Sequence, residues 1–144
     1  MTSTTLDNLV RIGKLKSQPP SRGEFESLLN LARTLLATVT DSKGMATESQ
    51  FVLAYDAAHA ASRAALRAFG YRSEDRYLVF QCLEHTIGWP PEKWRILDTC
   101  HRRRNAAEYE GNVDLPASLT AELVGLTAEL IDSASGLDHM LPTD

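Results

Sequence analysis

One segment of the chain concentrates side chains that are suited to phosphate chemistry. The run from Cys100 to Gly111 reads Cys-His-Arg-Arg-Arg-Asn-Ala-Ala-Glu-Tyr-Glu-Gly. Long polar groups of this kind are costly to bury unless they are paired, so we expect them on a surface. Guanidinium groups hold phosphate through two parallel hydrogen bonds, and an amide adds a directional bond. The segment therefore predicts a surface that faces a phosphate or a partner molecule.

In a helix, the polar side chains of this segment form one patch. At about 100° per residue, His101, Asn105 and Tyr109 lie one turn apart along a single stripe. Arg104 and Glu108 form the neighbouring stripe. The candidate phosphate-binding residues are Arg102, Arg104, Asn105 and Glu108.

Composition limits the classes of function. The chain has 144 residues, of which 43% are hydrophobic and 24% charged, so we expect one globular domain over residues 1–144. The net charge of -4 argues against a protein that coats nucleic acid without specificity, because such binding neutralises many phosphates. Residues 92–104 reverse this balance, with five basic residues against two acidic ones. Within this region, Arg102 has the spacing for an ion pair with Asp98.

Apolar periodicity, capping signals, glycines and prolines predict helices along almost the whole chain. The predicted helices run over about 6–15, 21–40, 47–69, 73–87, 91–111 and 114–136. Ser21 and Glu24 predict a capping box, and Thr47 predicts a second cap. No segment shows a strand signal. The expected fold is all-α, a compact antiparallel bundle of about five or six helices.

Metal, cofactor and membrane signals are not found in the sequence. Cys82 and Cys100 lie far apart without ligand neighbours, so we expect free thiols. The four histidines show no metal-ligand spacing, and we expect no metal and no cofactor. No stretch reaches the roughly 18 apolar residues of a membrane span, and the start does not read as a signal peptide. We expect a cytoplasmic protein without membrane contact.

The third predicted helix carries polar side chains of its own. Asp56 and His59 lie one turn apart, and we expect a buried hydrogen-bonded pair, although a catalytic orientation is the alternative. Arg63 and Arg67 continue the polar side of this helix. They could extend a groove toward Arg104 if the two helices are neighbours.

Two segments resemble HEPN domains, the nucleotide-binding helical bundles of higher eukaryotes and prokaryotes. Arg-Asn-Ala-Ala-Glu-Tyr at 104–109 is similar to the family signature, and the Ala-rich segment 55–71 looks like the helix that precedes it. The resemblance covers roughly residues 50–109. It implies metal-independent RNA cleavage in a composite site between two copies of the chain, with arginine holding phosphate and histidine moving protons. Tyr109 stands where the family has histidine. The resemblance makes Arg104, Asn105, Tyr109 and His101 the candidate catalytic residues, and it makes the candidate phosphate-binding residues Arg102, Arg104, Asn105 and Glu108 candidates for binding RNA.

Three interpretations of the patch remain open. A ribonuclease of the toxin or RNA-processing type would hold the scissile phosphate with Arg104 and Asn105. His101 would replace the missing histidine, because a phenol with a pKa near 10 is a poor base at neutral pH. A catalytically silent module would bind a nucleotide, RNA or a protein, and Tyr109 would stack on a base.

The third interpretation is structural, with Arg104 and Glu108 forming an ion pair within the chain.

The resemblance further implies a homodimer and, as partners, an antitoxin or a nucleotidyltransferase that modifies a tyrosine near the signature. Tyr109 would be the acceptor.

Overall fold

Helices make up nearly all the regular structure in residues 4–111 and 115–143, the part of the chain that the computed structural model describes. Two strands of two residues each, Lys16–Ser17 and Tyr71–Arg72, pair antiparallel, with Lys16 opposite Arg72. The fold is an all-α bundle, as the sequence predicts. Its elements are α1 (Thr4–Arg11), β1 (Lys16–Ser17), α2 (Arg22–Asp41), α3 (Thr47–Phe69), β2 (Tyr71–Arg72), α4 (Arg76–Gln81), α5 (Leu83–Thr86), α6 (Pro91–Glu110), α7 (Ala117–Ser135) and a 3-10 helix over Gly136–Met140.

Helix α3 is the centre of the bundle. It contacts α2 and α7 most extensively and also touches α4, α5 and α6. Eight of its residues are buried alanines, whose small side chains let neighbouring helices approach closely. Thr127 of α7 shows this closeness, because its hydroxyl lies 3.4 Å from the carbonyl oxygen of Ala54. The buried alanines are Ala54, Ala57, Ala58, Ala60, Ala61, Ala64, Ala65 and Ala68.

A buried arginine joins α3 to the chain before α2. The side chain of Arg67 is only 2% exposed and donates to the carbonyl oxygens of Gln18 at 3.2 Å, Pro19 at 2.7 Å and Tyr71 at 3.2 Å. Its Nε lies 3.3 Å from Glu24 Oε2. The expectation that Arg67 extends a surface groove is therefore wrong, because carbonyl groups outside any helix draw the guanidinium inward.

The helix caps agree with the sequence only in part. Ser21 Oγ accepts from the Glu24 amide at 3.2 Å, as a capping box requires. The Glu24 carboxylate, however, pairs with Arg67 and Arg72. The predicted cap at Thr47 is wrong, since Thr47 is the first helical residue and Ala46 precedes it without a side-chain cap.

The extents of two predicted helices also differ from the structure. Helix α1 ends at Arg11 because the chain turns at Gly13, where φ is 79°, and then enters β1. The expectation of no strands is thus wrong for the short strands β1 and β2, which follow α1 and α3 along the chain. The fourth predicted helix is divided at Cys82 into α4 and α5. The predicted start of the last helix at 114 lies outside the described residues.

Other features of residues 4–111 and 115–143 bear on function. Cys82 and Cys100 are free and buried, as predicted, and burial raises the pKa of each thiol to about 12. In these ranges no helix combines the length and the apolar character that crossing a membrane requires. The same residues contain no cluster of three or more His, Cys, Asp or Glu side chains that could hold a metal ion.

Candidate functional site

The predicted patch on α6 lies against α3 and α4. Tyr55 of α3 contacts His101 of α6. One turn earlier in α3, Val52 lines a groove together with Ala107 and Glu108, which lie further along α6. The two helices therefore run antiparallel here, and the polar stripe of α6 follows α3 back toward its first turn.

A chain of hydrogen bonds runs from Tyr55 through His101 to Asn105. The Tyr55 hydroxyl lies 2.7 Å from His101 Nδ1, and Asn105 Nδ2 lies 3.2 Å from His101 Nε2. Because the amide nitrogen can only donate, Nε2 accepts and Nδ1 carries the proton that faces the Tyr55 oxygen. This arrangement requires a neutral imidazole.

Two arginines from different helices each contact the ring of Tyr55. The guanidinium carbon of Arg104 lies 5.2 Å from the ring centroid, and that of Arg76 lies 5.6 Å from it. Such distances allow cation–π attraction. Arg104 Nη1 also lies 2.7 Å from Glu108 Oε2, whereas Arg76 Nη1 is 3.5 Å from Asp56 Oδ1. Arg76 and Arg104, the arginine pair, are thus held in place while their side chains stay 35% and 24% exposed.

The surroundings keep His101 uncharged. Partial burial is the main cause that lowers its pKa, because a charged imidazole loses hydration. The positive charges of Arg76 and Arg104 act in the same direction, while Asp98 and Asp75 oppose them. The lowered pKa agrees with the hydrogen-bond pattern, and both describe an uncharged imidazole.

A second imidazole, that of His59, lies near the arginine pair. His59 packs edge-on against Phe80, with ring centroids 6.1 Å apart. Burial, followed by the charges of Arg76 and Arg63, lowers its pKa to about 3. Its Nε2 is buried without a hydrogen-bond partner among the described residues. The predicted Asp56–His59 pair is therefore wrong, because Asp56 pairs with Arg76 instead.

The structure brings together only part of the predicted patch. His101, Arg104 and Asn105 share the site, and the Arg104–Glu108 ion pair of the structural interpretation is present. The side chain of Tyr109 stands outside this cluster, since Tyr109 is 79% exposed.

The remaining predicted phosphate ligand also lies apart. Arg102 pairs with Asp98 at 3.1 Å, as its spacing predicted, and its side chain is 71% exposed. Its guanidinium is directed to the nearly buried Asp98 and not to the Tyr55 ring.

Tyr55, Arg76 and Tyr77 are the site residues that sequence reasoning missed. Tyr77 lies with its ring centroid 6.4 Å from that of His101 and is 44% exposed. One signal in the sequence pointed to Tyr55, because this tyrosine lies one turn before His59 on a helix that is rich in alanine. Arg76 and Tyr77 gave none, because only the packing of α4 against α6 brings them to His101.

The fold and the site together define an all-α bundle with a Tyr–His–Asn chain of hydrogen bonds, whose tyrosine ring is contacted by two arginines. No protein-family model, curated protein or solved structure matches the chain. The chemistry of the site is therefore argued from its own residues.

Proposed function

We propose that this chain is a HEPN-like domain that binds the phosphate groups of RNA or of a nucleotide at Arg76 and Arg104. The observation that carries the proposal is that two partly exposed guanidinium groups, from α4 and α6, both contact the ring of one buried tyrosine beside an uncharged histidine. Because each guanidinium group is already held in place by its own helix, binding one phosphate would cost these side chains little further conformational entropy.

The carboxylates of the site support an exchange of partners. Asp56 reaches Arg76 only at 3.5 Å, so this carboxylate holds the guanidinium weakly. Glu108 holds Arg104 at 2.7 Å, but its side chain is 48% exposed and can turn away into water. A phosphate that entered from solvent would replace these two partners with a group of higher charge.

The proposal includes metal-independent RNA cleavage, with His101 as the proton carrier. A neutral imidazole can take the proton of a ribose 2′-hydroxyl, whose oxygen then attacks the adjacent phosphorus. The bond to the 5′ oxygen breaks, and that oxygen receives the proton from the imidazolium. The products are a 2′,3′-cyclic phosphate and a 5′-hydroxyl. Arg76 and Arg104 would stabilise the charge that develops on phosphorus oxygens.

A second candidate is a catalytically silent binding domain. Both ring nitrogens of His101 are engaged, by Tyr55 and Asn105, so substrate reaches the imidazole only by displacing the Asn105 amide. The exposed Tyr109 would then offer its ring to a base, to a second copy in a homodimer, or to an antitoxin or nucleotidyltransferase. For both candidate functions we propose a cytoplasmic location, where RNA and nucleotides are present.

The test is cleavage of total RNA and purified tRNA in the presence of a chelator, which removes metal-dependent nucleases. Wild type is compared with Arg104→Gln, Arg76→Gln and His101→Gln, and with Arg33→Gln, an exposed arginine on α2, as the matched control. We expect cleavage by wild type and by the control. Each site variant should lose at least about 100-fold in rate, the usual contribution of a proton carrier or a charge stabiliser.

The outcomes separate the candidates. Loss of binding and cleavage in Arg104→Gln, with cleavage alone lost in His101→Gln, supports the ribonuclease. Binding that depends on Arg76 and Arg104 without any cleavage supports the silent domain, and cleavage gained by Tyr109→His would identify a silenced relative. If neither arginine variant changes RNA or nucleotide binding, the proposal is wrong.

A further inference from the structure

An apolar groove continues from the arginine pair along the first turns of α3. It has a volume of about 270 Å³. Its walls are Glu48, Phe51 and Val52 of α3, Arg104, Ala107 and Glu108 of α6, and Leu115 between α6 and α7. Arg104 belongs to both places, because its guanidinium contacts the Tyr55 ring and its side chain also lines the groove. The phosphate site and the groove therefore share a wall.

The two ends of this surface differ in chemistry. The arginine pair at Tyr55 attracts anions, and the middle of the groove presents the exposed Val52, with 43% exposure, over the buried Phe51. The carboxylate of Glu48 stands at the far end. Glu48 and Tyr55 are seven residues apart in one helix, which corresponds to about 10 Å along its axis.

We infer that this groove takes the base of a nucleotide whose phosphate is held by Arg76 and Arg104. The inference rests on the proposed phosphate site. The order of groups along the surface matches such a ligand, since an anionic phosphate would meet guanidinium groups and a flat base would cover Val52. Base N–H groups would face the carboxylate acceptor of Glu48.

Guanosine 5′-monophosphate and ribose 5-phosphate are the probes, because they differ only in the base. Guanine also presents two adjacent N–H donors, which fit the two oxygens of a carboxylate. Affinities are measured by titration calorimetry with the full chain. The test variant is Val52→Gln, which places a longer polar side chain in the groove at an exposed position, and the matched control is Leu31→Gln, an exposed leucine of α2 outside the groove.

We expect wild type and Leu31→Gln to bind guanosine 5′-monophosphate at least about fivefold more tightly than ribose 5-phosphate, from the apolar area that the base covers. Val52→Gln should remove this advantage and leave the affinity for ribose 5-phosphate unchanged. Arg104→Gln should weaken the binding of both ligands.

Three results would overturn the inference. Wild type could bind the two ligands equally, or Val52→Gln could weaken both to the same extent. Sedimentation could also show that Val52→Gln separates a dimer without changing the ligand ratio, and the groove would then be an interface between two copies. In each case, if wild type binds ribose 5-phosphate and Arg104→Gln weakens that binding, the proposal of a phosphate site still stands. If wild type binds neither ligand, the phosphate proposal fails as well.

Discussion

The buried imidazole of His59 should make the protein lose stability in mild acid. Its pKa in the folded chain is about 3, against an ordinary value of 6.5, because burial and nearby arginines disfavour the charged ring. The unfolded chain therefore binds this proton first. The stability that the neutral ring contributes is fully present above pH 6.5 and is lost as the pH falls from there toward 3.

The magnitude follows from the width of this window. Each pH unit below 6.5 costs about 1.4 kcal/mol, so at pH 4.5, two units lower, the loss from His59 is about 3 kcal/mol. A domain of this size has a total free energy of unfolding of about 5–15 kcal/mol. The effect of one histidine is therefore large enough to resolve.

Urea unfolding of wild type and His59→Met at pH 7 and at pH 4.5 measures the effect. Methionine keeps an apolar, helix-compatible side chain in the space against Phe80 and removes the unpartnered Nε2. We expect the variant to lose about 3 kcal/mol less than wild type between the two pH values. The surface carboxylates and His101 remain in both proteins, so their contributions cancel.

His139→Gln controls for the loss of a histidine as such, because His139 lies exposed on the 3-10 helix. A His59→Met variant that loses as much stability in acid as wild type would refute the reasoning. The imidazole would then be charged, or as well hydrated, in the folded protein.

Two further predictions concern the packing around α3. Arg67→Met should lower the free energy of unfolding in urea by about 3–5 kcal/mol, since it leaves three carbonyl oxygens without this donor and leaves Glu24 with Arg72 alone. A loss below about 1 kcal/mol would show that water replaces the guanidinium. Gly70→Ala should cost about 1–2 kcal/mol, because φ is 89°. Gly136→Ala is its control, with a right-handed backbone and open space, and equal thermal shifts in both variants would contradict the strain argument.

The sequence predicts the helices well where local chemistry decides the structure. Glycines at 70 and 111 end α3 and α6 in the left-handed conformation, as their positions predict. The alanine-rich segment predicts a central helix, because only small side chains allow close packing on several sides. The ion pairs of Arg102 and Arg104 with residues four positions away follow from helical spacing alone.

The candidate site is less accessible to such reasoning because its contacts join distant positions. Tyr55 and His101 are 46 residues apart, and Arg76 reaches them from a third helix. Arg67 shows the same limit, since its charge predicts a surface position whereas carbonyl groups of the segment before α2 bury it. Periodicity reports which face of a helix is apolar, and it does not report which polar groups are paired across helices.

In the proposed function, the position of the arginine pair would link ligand binding to proton transfer. Arg76 and Arg104 contribute to lowering the pKa of His101, and they are also the groups that would hold a phosphate. A bound phosphate would offset their charge, so the pKa of His101 would rise toward its ordinary value. The imidazole would thus become a better proton acceptor only when substrate is present. Tyr55 contacts the two guanidinium groups and also faces His101 Nδ1. This residue of the central helix therefore positions both arginines relative to the imidazole.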